Sequence, residues 1–154
     1  MARRTIVRLL VITVAVLLGP GTVRAQDLFR HTTDPHMVAT LIQMALPAAQ
    51  RGLALLQASA TPRQIDVAVD SIWDAYRYLR SAQESSENIE AHARFKDPLV
   101  ELRNARILEI RDRFRWCRER REHLVAQEPE ITARCTQGLV EGIRSLQIVV
   151  ATVN

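Results

Sequence analysis

Residues 61–79, TPRQIDVAVDSIWDAYRYL, decide the fold class. Thr61 and Gln64 flank a proline at the spacing of a capping box, in which the Gln64 N–H donates to the Thr61 hydroxyl and the Gln64 side chain reaches back. Ile65, Ala68, Val69, Ile72, Trp73, Tyr76 and Leu79 then recur three and four residues apart, the period of a helix with one apolar face. The pattern weakens but continues through Ala82, Ser86, Ile89 and Ala93, so this helix either runs on or breaks near Ser85-Ser86.

Prolines mark the other helix starts. Asp34-Pro35 offers a capping carboxylate followed by proline at the first helical position, where its missing N–H costs nothing. The first helix is expected from there to about Ala60, kinked near Pro47, with Arg51 its only formal charge. Asp97-Pro98 opens a third helix, with Leu99, Leu102, Ile110, Phe114, Cys117 and Leu124 as its apolar stripe. Glu128-Pro129 opens a fourth, facing inward with Ile131, Cys135, Leu139, Ile143, Leu146, Val150 and Val153. The β-branched run from Ile148 to Val153 is compatible with helix or strand. Tight-hairpin pairs and internal repeats are absent. The expectation is an all-α protein: an up-down four-helix bundle over residues 34–154, preceded by an extended lead-in at 26–33.

Residues 1–25 read as a secretory signal peptide. Arg3, Arg4 and Arg8 precede an uncharged apolar stretch from Leu9 to Leu18, and Val23-Arg24-Ala25 supplies small residues for signal peptidase. A membrane span needs roughly 20 apolar residues, and Gly19-Pro20 ends this stretch well short of that. The unbroken stretch suits the general secretory route, while Arg3-Arg4 leaves twin-arginine export open. Arg3, Arg4, Arg8 and Arg24 carry the whole formal charge of +4, so the mature chain is neutral and nucleic acid is not an expected partner. The mature basic residues are arginines except for Lys96, a bias that codon usage or a site for planar bidentate donors would produce.

Export changes the reading of Cys117 and Cys135. In an oxidising compartment two cysteines on facing stripes of adjacent helices read first as a disulfide. Cys-x-x-Cys and Cys-x-x-Cys-His are absent, which removes thioredoxin-like redox chemistry and haem attachment. His31, His36, Met37 and Met44 combine imidazole and thioether, a donor set suited to copper, although Met37 and Met44 also fit the apolar side of the first helix. Asp66, Asp70 and Asp74 form a row along one helix face. Such a row suits a hard divalent cation with water, or a solvated acidic face near a helix start with Arg63 and Arg77 at its ends. Ile89 and Arg120 stand three residues before His92 and His123, so a di-iron Glu-x-x-His pair is excluded.

Trp73, Tyr76 and Tyr78 with Arg77 and Arg80 read as core aromatics with one amphipathic edge, or as a stacking site. Gly138 and Gly142, four apart, allow close helix approach. Eight arginines between Asp97 and His123 find local partners such as Glu109 for Arg113. No nucleophile, base and orienting group stand out together. Two functions follow: a non-enzymatic binding or interaction module of the cell envelope, without cofactor, for a protein or small ligand and open to homodimerisation; or an exported helical enzyme using convergent arginines on an anionic substrate.

Overall fold

The computed structural model describes residues 32–58 and 61–153, which form five helices and no strand. Helix α1 spans Pro35–Gln57, α2 Pro62–His92, α3 Pro98–Glu119, α4 Arg121–Val125 and α5 Pro129–Thr152. The expected leader and residues 26–31 of the expected lead-in lie outside the described residues, and residues 32–34 carry no helix. No described helix is long and apolar enough to cross a membrane.

Every long helix has proline in its first turn, as the sequence predicts. Asp34 Oδ1 accepts from the His36 N–H at 2.9 Å, and Asp97 Oδ1 accepts from the Leu99 N–H at 2.9 Å. The capping box closes in both directions: the Thr61 N–H donates to Gln64 Oε1 at 2.8 Å and the Gln64 N–H to Thr61 Oγ1 at 3.4 Å. Helix α1 continues through Pro47, and α2 runs unbroken through Ser85 and Ser86, both buried. The β-branched run near the C-terminus is helical to Thr152.

The third segment departs from expectation in two ways. It does not reach Leu124 as one helix, because the chain turns at Arg120. There the Arg120 N–H bonds to the Cys117 carbonyl at 3.1 Å, and the Arg120 guanidinium takes the Trp116 carbonyl at 3.2 Å in its place. The short α4 then redirects the chain and buries Leu124. The second departure is register. Leu99 and Leu102 are 75% and 55% exposed, whereas Ile107, Ile110, Phe114 and Cys117 are buried. That 3-4-3 spacing, continued backwards, falls on Arg103 and Val100, so the two leucines face away from the core.

Helix α1 packs on α2 and α5, and α3 packs on α2 and α5. The contacting residues fix directions. Arg103 meets Ser86 while Arg111 meets Gln83 and Tyr76, so α2 and α3 run antiparallel. Arg113 pairs with Glu141 while Cys117 meets Cys135, so α3 and α5 do as well. Arg113 thus finds its carboxylate on α5 and not at the expected Glu109. Two glycines set the closest approaches. A Cβ at Gly52 would lie 2.6 Å from Ile72 Cγ1 and 3.0 Å from the Ala68 carbonyl oxygen, and one at Gly142 would lie 2.8 Å from Phe114 Cε1. Gly138, the other half of the expected motif, has only Arg113 Cβ nearby, at 4.0 Å. Two turns before Gly142 on the same face of α5, Cys135 stands at disulfide distance from Cys117 with Cα atoms 5.4 Å apart.

The two α5 glycines should respond with opposite sign. Gly138→Ala should raise stability by up to about 1 kcal/mol through helix propensity alone. Gly142→Ala should lower it by about 1–3 kcal/mol, because fully buried Phe114 cannot yield freely. Urea denaturation of both variants checks this. Protein recovered from an oxidising compartment should give no thiol label when denatured without reductant, and reducing it should cost about 3 kcal/mol.

Candidate functional site

Helix α3 buries only four apolar side chains, yet it lies along the whole second half of α2, whose buried face there includes Gln83, Ser85 and Ser86. Arginine fills the difference. Arg103 Nη2 donates to Ser86 Oγ at 3.0 Å, joined by Asn104 Nδ2 at 3.3 Å. Arg111 donates to Gln83 Oε1 and, at 3.4 Å, to the Tyr76 hydroxyl, with its guanidinium carbon 5.1 Å from the Tyr76 ring centroid. Arg118 lies 5.6 Å from the centroid of Trp73, which stacks on Tyr76 at 4.4 Å. Beyond the break, Arg121 Nε and Nη1 reach Asp66 and Asp70 at 2.7 and 2.8 Å. Such pairs hold Arg121 above the usual arginine range, the hydrogen bond to Asp66 leading. These four arginines form a seam that descends α2 as α3 and α4 ascend.

This arrangement assigns the residues singled out from sequence. Asp66 and Asp70 are bridged by Arg121, where Arg63 and Arg77 were the expected partners, while Asp74 lines a shallow cleft between α1 and α2. Met44, half-buried, lines the same cleft with Pro47, Arg51 and Tyr78. Met37 is half-buried and His36 exposed at the start of α1, and His31 lies outside the described residues. Among the described residues, no three His, Cys, Asp or Glu side chains gather so as to hold a metal ion. Trp73 and Tyr76 take their cations from α3, whereas Arg80 pairs with Glu84 at 2.7 Å.

The register of α3 that builds the seam also creates a groove. With Arg103 turned to α2, Leu99 and Leu102 line a cavity of about 350 Å³ against Ile148, Val149 and Thr152 of α5. Leu99, Leu102 and Ile148 are all exposed. Arg103 and Arg106 stand among these apolar residues, with Asp97 at one end. Burial pushes the Arg103 guanidinium below the ordinary arginine range, opposed by the nearby charges of Asp97 and Glu90. Its Nε is buried without a hydrogen-bond partner. Arg106 makes no hydrogen bond or ion pair with any described residue. A second cavity of about 350 Å³, between α3 and α5, differs because its charges are matched: Arg113 pairs with Glu141, and Arg134 lies 4.7 Å from the Trp116 ring centroid.

Sequence reasoning missed Arg103, Arg106 and Ile148 and placed Leu99 and Leu102 on the wrong face. The available signal was Ile107, which with Ile110, Phe114 and Cys117 sets a register that excludes the leucines. No protein-family model, curated protein or solved structure matches the chain.

Arg111→Met keeps the alkyl stem but strands the buried Gln83 Oε1 and the Tyr76 hydroxyl, while Gln83 Nε2 keeps its bond to Glu87. It should cost about 1–3 kcal/mol in denaturant unfolding. Adding Gln83→Leu should return part of that loss, because replacing both partners with apolar groups leaves less unsatisfied. A double-mutant cycle checks the coupling.

Proposed function

We propose that this chain is an exported bacterial protein whose residues 34–154 form an up-down four-helix bundle braced by Cys117–Cys135, and that it serves as a non-enzymatic binding module of the cell envelope. The groove between α3 and α5 is its ligand site. The observation that carries this reading is a cavity of about 350 Å³ that exposes Leu99, Leu102 and Ile148 at its mouth. That volume is within the roughly 300–1,000 Å³ of small-molecule sites, and grouped apolar exposure of this kind marks binding surfaces. Binding is favoured over the convergent-arginine enzyme because Arg103, Arg111, Arg118 and Arg121 are engaged with α2. Export rests on the basic, apolar and small-residue order of residues 1–25, and the cysteine pair is compatible with it.

Expression in a bacterial host should yield an extracytoplasmic product whose intact mass lacks residues 1–25. That product should bind a neutral apolar fluorophore such as N-phenyl-1-naphthylamine in its native state. Leu102→Glu and Ile148→Glu, both at exposed positions, should abolish the fluorescence gain without shifting the thermal midpoint. Retention of the gain in both variants would remove the groove as the site.

A further inference from the structure

On the reading that the groove is a ligand site, we propose that its ligand is a single-chain alkyl carboxylate of medium length, with the tail on the apolar wall and the head on Arg106. An arginine that lines an apolar cavity without a carboxylate or hydrogen-bond partner is poised for a planar anion, which it can take through two parallel N–H donors. Arg106 is half-buried, so part of its hydration is already lost and an anionic head would replace it.

The count of charges sets the head group. Arg103 is compensated by the fields of Asp97 and Glu90 and already donates to Ser86. Asp97 in turn accepts from the Leu99 N–H as the cap of α3. One uncompensated positive charge therefore remains at the groove, that of Arg106, and it matches a monoanion better than a phosphate dianion.

The apolar wall sets the tail. Leu99, Leu102, Ile148 and Val149 form a continuous surface from α3 to α5. A cavity of about 350 Å³ sits at the small end of ligand sites, roughly 300–1,000 Å³. That suits one alkyl chain and not a two-chain lipid.

Displacement of N-phenyl-1-naphthylamine from the exported protein by dodecanoate and by dodecanol, each below its aggregation limit at neutral pH, tests the inference. Dodecanoate should bind at least tenfold more tightly than dodecanol, and added salt should narrow the gap. Arg106→Gln should bring the ratio of the two affinities within threefold, whereas Arg106→Lys should keep part of it. Fluorophore binding with equal affinity for the two ligands would overturn the carboxylate assignment and leave the groove reading standing. No fluorophore binding, with sedimentation showing a dimer that Ile148→Glu makes monomeric, would overturn both and assign the groove to a second copy of the chain.

Discussion

The Arg111 guanidinium donates to Gln83 and Tyr76 while lying over the Tyr76 ring, and the placement of α3 depends on this contact and its neighbours along the seam. Thirteen residues of α2 are buried but only four of α3, so apolar area alone gives α3 a weak hold. The polar face in the second half of α2 would be a liability without partners, since buried amides and hydroxyls must be hydrogen-bonded. Arg103, Asn104 and Arg111 supply those bonds from α3. Lysine would not substitute, because its point charge can neither lie flat on Tyr76 nor serve two acceptors in one plane. On the opposite side α3 is tied to α5 by the cysteine pair and by Phe114 against Gly142.

The groove follows from the same constraint. Turning Arg103 to α2 fixes the rotation of α3 and thereby presents Leu99, Leu102 and Arg106 to the C-terminal turns of α5. The break at Arg120 completes the seam from the other end, since it aims Arg121 at Asp66 and Asp70. Those last pairs are substantially exposed and contribute little individually, about 0–1 kcal/mol each. Arg111, between those ends, serves two buried acceptors at once, Gln83 Oε1 and the Tyr76 hydroxyl.

Much of this fold was legible because it is local. The caps at Asp34, Thr61 and Asp97 and the helical faces of α2 and α5 follow from spacings of a few residues, and each appears in the structure. The pairing of Cys117 with Cys135 was legible because each falls on an apolar stripe and the connection between them is short. What was not legible is long-range. Sequence offered Arg63 and Arg77 to the ends of the Asp66, Asp70 and Asp74 row, but Asp66 and Asp70 share Arg121 of another helix. Helix α3 was misread because its real stripe is thin and begins at Ile107, so two exposed leucines outweighed it. The arginine excess offered two explanations, and four of the arginines converge on one helix. The candidate site lies where the α3 register failed to be read, which is why no motif announced it.

The central claim is that Arg103 and Arg111 of α3 are fixed against α2 while Arg106 is left for a ligand. Nitrogen-15 NMR of the arginine Nε–H groups in the ligand-free protein tests it most directly. The account predicts slowly exchanging, well-dispersed signals for Arg103 and Arg111 and rapid solvent exchange for Arg106. Uniformly fast exchange across all three would contradict it, as would protection of Arg106 equal to that of Arg111.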